Sequence, residues 1–481
     1  MPSHTFYWHD YETFGRVPRR DRPSQFAGIR TDADLNEVGA PLMQFCQPAP
    51  DSLPEPEACL LTGITPQACL AQGVPEHAFA ARIEAELAAP GTVGVGYNSI
   101  RFDDEVTRHL FWRNLIDPYA REWQNECGRW DLLDTVRTCW ALRPDGIEWP
   151  THEDGRPSFK LEHLSAANGL AHEAAHDALS DVRATIALAR LIRQRQPRLW
   201  EFCLRLRQKQ AVWAEIGTQR PFLHLSGMYG VERGGLAVVY PLAPHPTNKN
   251  ELIVWDLAHD PRELLGQSAA DLRLRLFTRT EDLPEGVTRL PVKSVHVNKS
   301  PVVIGNLKTL GEATQARFAI DLAQALAHAQ HAGEVARTLE GAWRDAYARP
   351  PAPRAPDVDE DLYGGFVGDA DRRRLNTLRA MSGEQLAQQR PTFDDGRLEE
   401  LLFRYRARNF PATLSVDDQQ RWVDHCARRL HEGEGGGMTL ARFFETIDAL
   451  NDTADERGQD ILSQLYDYAE HVAPPLPAGV R

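Results

Sequence analysis

The chain has 481 residues, more than one ordinary hydrophobic core holds, so two or three domains are expected. Its composition, 42% apolar and 25% charged, is that of a soluble globular protein; no apolar run approaches the length of a membrane helix and the opening Met-Pro-Ser-His is no secretory leader, which leaves the cytoplasm as the expected location. A formal charge of −14 excludes a uniformly basic polyanion binder, but it permits a local basic groove, above all one whose centre holds divalent cations.

The seven cysteines (46, 59, 69, 127, 139, 203 and 426) are odd in number, scattered and never spaced Cys-x-x-Cys. Free thiols in a reducing compartment are expected, and a zinc ribbon is not.

In chain order, Phe6-Tyr7-Trp8-His9-Asp10-Tyr11-Glu12-Thr13-Phe14 predicts a buried strand that stops at Gly15-Arg16-Val17-Pro18. Side chains alternate along a strand, so Asp10 and Glu12 share a face within a few ångström of each other. Two carboxylates that close need a proton or a cation between them, and an all-oxygen site suits Mg²⁺ or Mn²⁺. Strands are predicted again at 25–30 and 42–47. The Pro- and Gly-rich stretch 52–73 reads as a loop, and 75–88 as a helix.

A short strand at 92–98 leads into a helix from about Asp103, with acids in its first turn as the helix dipole prefers. Asp103 therefore stands where a strand hands over to a helix N-terminus, a place where open α/β sheets carry their sites. Between Arg101 and Arg143 arginines and aromatics alternate with acids. In its polar, Pro-interrupted part, Tyr119 and Trp123 lie beside Arg108, Arg113 and Arg121, a combination that suits base stacking and phosphate contact.

A short helix ending at Asn168-Gly169 is followed by His172-Glu173-Ala174-Ala175-His176-Asp177-Ala178-Leu179-Ser180-Asp181 and a helix from Val182 to about Arg195. Five residues on one continuous helix would set His176 and Asp181 about 140° apart, so His176 is placed on the entry loop, Asp177 at the N-cap and Asp181 one turn in. Past Pro197, a connector helix precedes a β-rich region over 222–303, in which Arg289, Lys293, His296 and Lys299 form one basic edge. Residues 311–348 are helical, 350–356 a proline linker, and the remainder all-α, with a loose glycine-rich loop at 432–437.

Four carboxylates (Asp10, Glu12, Asp103, Asp181) and one histidine (His176), delivered by separate segments, are what two-metal hydrolysis of a phosphodiester requires, with the imidazole able to take a proton from water. The ordered pattern Asp-x-Glu, Asp, His-x-x-x-x-Asp resembles the DEDD superfamily of 3′ to 5′ exonucleases in its histidine-bearing branch. Within that branch the bacterial exonuclease I family is most similar. The likeness rests on His9-Asp-Tyr-Glu-Thr-Phe-Gly15, Gly96-Tyr-Asn-Ser-Ile-Arg-Phe-Asp-Asp-Glu-Val106, Arg129-Trp-Asp-Leu-Leu-Asp134, Pro157-Ser-Phe-Lys-Leu-Glu-His-Leu164 and His176-Asp-Ala-Leu-Ser-Asp181. Leu225-Ser-Gly-Met-Tyr-Gly230, Val295-His-Val-Asn-Lys299 and Leu401-Leu-Phe-Arg-Tyr-Arg-Ala-Arg-Asn-Phe-Pro411 extend it over nearly the whole chain.

The resemblance implies an α/β, ribonuclease-H-like exonuclease domain (1–196), an SH3-like β-rich domain with a helical extension (197–349) and an all-α C-terminal domain (353–475) around a channel for single-stranded DNA. It implies two Mg²⁺ ions, replaceable by Mn²⁺, on Asp10, Glu12 and Asp181, with Asp103 completing the acidic set and His176 as base. It also implies DNA contacts from Glu12, Arg108, Tyr119, Trp123, Arg137, Lys160, Lys299, Tyr363 and Phe366. The acidic tail of the single-stranded-DNA-binding protein is an implied partner, and a cytoplasmic monomer acting in DNA repair and recombination is expected. Two other readings stay open: an exoribonuclease of the same chemistry, and a silent single-strand-binding scaffold that merely inherits the fold.

Overall fold

The computed structural model describes residues 4–171, 177–348 and 356–475, and its contacts divide the chain into two interleaved units. The first comprises residues 1–128, 172–183 and 353–481; the second comprises 129–171 and 184–352.

The first unit is built on β1 (Thr5–Thr13), β2 (Pro23–Thr31), β3 (Leu42–Phe45) and β4 (Thr92–Gly96), in the order β3-β2-β1-β4; β5 (Gly128–Asp131) comes next in the chain, where the second unit begins. β1 runs antiparallel to β2 and parallel to β4, so it lies at the centre of the sheet. That position explains its aromatic run: Phe6, Tyr7, Trp8 and Tyr11 are all buried, which a central strand covered on both faces demands. The glycines of β4 allow close approach, since a Cβ on Gly96 would lie 3.0 Å from the His9 carbonyl oxygen.

Tyr7, Tyr11 and Phe26 pack with Phe79, Ile83 and Leu87 of the helix Glu76–Leu87 and with Val106, Leu110 and Phe111 of the helix Asp103–Arg113. A second core in the same unit joins Phe14, Leu53, Cys59 and Cys69 to Leu430, Leu440, Phe443, Ile447, Ile461, Leu462 and Leu465. The C-terminal helices Val416–Glu432, Leu440–Asn451 and Glu456–Val472 thus share their apolar stripes with the start of the chain, where they bury surface they could not bury alone.

The stretch expected as a loop at 52–73 forms two helices, Pro56–Thr62 and Pro66–Gln72. Pro56 and Pro66 sit at the first helical positions. Gly63, at φ 72°, closes the first helix, and the Thr65 side chain accepts from the Ala68 N–H to open the second. What looked like breakers are boundary residues. The helices Ala269–Phe277 and Leu440–Asn451 were also not expected; Ser268 and Thr439 cap them.

The second unit carries an antiparallel sheet, β10-β6-β7-β8-β9, from β6 (Phe222–Leu225), β7 (Leu236–Pro244), β8 (Glu251–Asp256), β9 (Val292–His296) and β10 (Val302–Ile304). Phe222, Val239, Val254, Val295 and Val303 fill its core with Leu206, Val212 and Ile216. Of the basic run, Lys293 and His296 lie on β9, an edge strand, while Arg289 precedes it and Lys299 follows it. Some of its charges are engaged within the chain: Lys293 lies over the Tyr229 ring at 4.1 Å, and the exposed Arg289 donates to the carbonyls of Thr278 and Leu276. The proline linker falls outside the described residues. All seven cysteines are buried free thiols, and no helix among the described residues is long and apolar enough to cross a membrane.

Candidate active site

β1 ends in the sequence Asp10-Tyr11-Glu12, and the pleat turns Tyr11 into the core while both carboxylates emerge on the other face, half-buried. Opposite them on β2 stand Ala27 and Gln25, and a register shift between Glu12 and Thr13 ends the pairing beside the site.

Asp181 arrives from the first turn of the helix Ala178–Arg195. Asp177 caps that helix, its side chain accepting from the Ser180 N–H at 2.9 Å, and the Gln25 amide oxygen accepts from the Ala178 N–H at 3.4 Å. Gln25 therefore ties β2, across from Glu12, to the start of the helix that carries Asp181. Nothing in the sequence singles Gln25 out, because its contact joins residues 153 apart.

Carboxylate oxygens of Asp10, Glu12 and Asp181 lie within 4.8 Å of one another. Asp103, 4% exposed at the N-terminus of its helix, accepts from the Tyr11 N–H at 3.2 Å and is thereby fixed to the residue between Asp10 and Glu12. Burial and mutual repulsion act in one direction here. Burial, then Asp103, Glu12 and Asp181, push the Asp10 carboxyl well above its ordinary range; burial, then Asp181, Asp103 and Asp177, push Glu12 up to about 8. His9 is held down, to about 4, first by burial and then by the Arg121 charge, and its Nδ1 lies 3.0 Å from the Val95 oxygen, so it is a neutral support of the strand. His176 lies outside the described residues.

A cluster of oxygens that raise one another's pKa is complementary to a small hard cation. Octahedral Mg²⁺ binds oxygens at about 2.1 Å, so ligands to one ion stand about 3–4 Å apart, and small side-chain rotations bring a 4.8 Å set into range. The donor set fits such an ion, with Asp10, Glu12 and Asp181 able to hold it.

The other expected contact residues fall into two groups. In the first unit Arg108, Tyr119, Tyr363 and Phe366 come together: the Arg108 guanidinium lies 5.3 Å from the Tyr119 ring centre and donates to the Tyr363 hydroxyl at 3.0 Å, and Phe366, 87% exposed, stands 5.9 Å from Tyr119. Trp123 is 67% exposed. The neighbouring arginines are not exposed as expected. Arg108 is buried and paired with Glu105 and Glu122, Arg113 with Glu76, and Arg121 with Asp104 at 2.6 Å, so this region offers ring faces more than free charge.

In the second unit, Arg137 pairs with Asp134 at 2.9 Å and lines a cavity of about 750 Å³ with Trp140, Phe159, Arg156 and Gly227. Lys160 is exposed and pairs with Glu162 at 3.5 Å, and Lys299 lies in the turn after β9.

Comparison with known proteins gives three matched segments. Residues 7–189 match the family described as Exonuclease, 207–349 the Exonuclease I SH3-like domain, and 356–472 the Exonuclease I C-terminal domain. Exodeoxyribonuclease I of Escherichia coli (strain K12) is 44% identical over 472 residues, covering 97% of this chain and 98% of its own. Among solved structures, an exonuclease I from Methylocaldum szegediense is 48% identical with a TM-score of 0.92, covering 98% of this chain and 99% of its own. A zinc-bound E. coli exonuclease I–single-stranded DNA complex is 43% identical, TM-score 0.91, with coverage of 98% and 99%. A structure of SSB and exonuclease I with an inhibitor is 42% identical, TM-score 0.89, with coverage of 98% and 100%.

Proposed function

The chain belongs to the bacterial exonuclease I family and is a nuclease, and from that premise we propose that it degrades single-stranded DNA processively from the 3′ end, releasing 5′-mononucleotides. The observation that carries this reading is the convergence of Asp10, Glu12 and Asp181, with Asp103 tied in through the Tyr11 N–H. The relative solved with single-stranded DNA and zinc supports both the substrate and the need for a divalent ion.

Asp10, Glu12 and Asp181 hold the metal, taken to be two Mg²⁺ ions with Mn²⁺ as a substitute. When bound, such ions supply an activated water and offset the charge that develops on the phosphate and the departing 3′ oxygen. Asp103 keeps the end of β1 in place and completes the negative set. His176, just before the helix that bears Asp181, accepts the proton from the attacking water at an imidazole nitrogen. Glu12 also contacts the terminal nucleotide. Tyr119, Trp123, Tyr363 and Phe366 offer rings on which bases stack, Arg108 orients two of those rings, and Arg137, Lys160 and Lys299 contact the strand from the second unit.

The division of labour proposed is cleavage by 1–196, strand guidance by 197–349 and enclosure by 353–475. The acidic tail of the single-stranded-DNA-binding protein is the proposed partner, supported by the relative solved with SSB, and repair and recombination in the cytoplasm the proposed setting for a monomer. End-labelled DNA and RNA oligomers of one sequence, incubated with Mg²⁺, test the reading: stepwise shortening of the DNA from its 3′ end is expected, and faster loss of RNA would overturn the choice of substrate.

A further inference from the structure

Of the basic run at β9, the proposed strand contacts employ Lys299 and leave His296 without a task. His296 is the last residue of β9 and stands opposite Glu251 of β8. Its side chain is 38% exposed, and its Nδ1 lies 3.4 Å from Glu251 Oε1.

Glu251 is fixed by the turn that leads into β8. Asn248 Nδ2 donates to its Oε1 at 2.6 Å, and His245 Nε2 lies 3.7 Å from its Oε2. His245 Nδ1 accepts from the Thr247 and Asn248 N–H groups at 3.3 and 3.2 Å, so the hydrogen of that ring is on Nε2, toward the carboxylate. The Tyr347 ring packs edge-on against His245 with centroids 4.6 Å apart and holds it in place.

The carboxylate decides which nitrogen of His296 carries hydrogen. A lone pair on Nδ1 would face an oxygen of the same sign, whereas an N–H there is attracted, so the neutral ring is the Nδ1–H tautomer. Nε2 then holds a lone pair, which repels a phosphate oxygen. Protonation reverses this: Nε2 gains an N–H on a positively charged ring and becomes a charge-assisted donor.

The charged and titratable groups around the ring are Glu251 on β8, His245 in the turn before it, Lys299 in the turn after β9 and Arg129 on β5; Tyr347 lies beyond His245, and Lys293 of β9 is turned to the Tyr229 ring. Burial foremost holds the His296 pKa below its ordinary value; Glu251 draws it up, while Lys299, His245 and Arg129 push it down. Lys299 belongs to the same tight turn, its N–H donating to the His296 oxygen at 3.1 Å. A phosphate brought to Lys299 places a negative charge beside the ring and raises its proton affinity again.

From the Glu251 contact, the half-exposed ring and the turn shared with Lys299, we propose that His296 is a further contact for single-stranded DNA, one that takes up a proton from solvent as the strand binds and donates from Nε2 to a backbone phosphate. Glu251 and His245 are positioning residues for that ring. The inference rests on the single-strand reading and adds to it a grip that tightens as pH falls.

The test uses the full chain in EDTA, which withholds the metal and so keeps the strand intact, with a fluorescein-labelled oligothymidylate followed by anisotropy at constant ionic strength. Titrations are repeated across the pH range around the ordinary histidine value of about 6.5. Affinity of the parent protein should rise as pH falls through that range, and His296→Gln should lose about three- to tenfold of the rise. Glu251→Gln removes the group that draws the proton affinity of the ring up, so its rise should move to lower pH. A rise in His296→Gln equal to that of the parent, or an unshifted one in Glu251→Gln, would overturn the proposal and leave the single-strand reading standing. No binding by the parent at any pH would overturn both.

Discussion

The first unit buries two groups of charged side chains, and they are built on opposite plans. Around Asp51, Glu76 and Asp359, five arginines close in: Arg408 lies 2.6 Å from Asp51, Arg113 3.1 Å and Arg22 3.3 Å from Glu76, Arg404 3.3 Å from Asp359, and Arg429 donates to the Asp51 carbonyl at 3.1 Å. Burial alone would raise these carboxyl pKa values. Burial is the largest single influence, but it is outweighed jointly by Arg408, His425 and Arg22 at Asp51, by Arg408, Arg22 and Arg404 at Asp359, and by Arg113, Arg22 and Arg408 at Glu76, so all three are held below the usual range. At Asp10 and Glu12 the neighbouring charges are carboxylates, and burial and repulsion push upward together. One cluster is neutralised by the chain and ties the C-terminal helices to the sheet. The other finds no counter-charge in the chain, so its carboxyls retain protons until a cation binds from outside.

The contrast yields predictions in order of expected size. Asp10→Asn removes a metal ligand while keeping shape, and should lower the rate of DNA hydrolysis by about 10³-fold or more with binding of single-stranded DNA retained. Normal turnover by that variant would erase the distinction between the clusters. His176→Ala should cost about 10²–10⁴-fold and flatten the lower limb of the pH–rate profile; an unchanged profile would remove the imidazole from proton transfer. In the neutralised cluster, Arg408→Met leaves Asp51 and Asp359 buried without their main partner and should destabilise the fold by about 3–5 kcal/mol, read by denaturant unfolding.

The two clusters should also respond to pH with opposite sign. Asp51 and Asp359 have depressed folded-state pKa values, so the stability they confer is present above the ordinary carboxylate range and is lost as pH falls. Glu12 has a raised one, so the metal-free protein should lose stability as pH climbs from the ordinary glutamate value toward about 8. Saturating Mg²⁺ should abolish the second slope and leave the first, as thermal melts with and without EDTA would record. The smallest effect expected is at the rings: Phe366→Ala should weaken single-stranded DNA binding by about 1–3 kcal/mol.

How much of this could be read in advance follows from the range of each interaction. Asp10 and Glu12 were legible because a two-residue period forces them onto one face, and Asp103 and Asp181 because acids in a first helical turn announce themselves. The motif order then supplied the family. The arginine network was not legible: its partners stand as far apart as Asp51 and Arg408, and only the packed helices bring them together. Arg113 and Arg121 were expected beside a solvent-facing surface for the same reason, since their partners Glu76 and Asp104 become visible only in three dimensions. The helices at 56–72 were misread because proline and glycine mark a helix end as readily as a loop.

The most direct test is diffraction from crystals soaked in Mn²⁺, with anomalous density locating the ions. Peaks bonded to Asp10, Glu12 and Asp181 in the parent protein, and their disappearance in Asp10→Asn, are what this account requires. An active protein whose manganese sits elsewhere, or not at all, would contradict it.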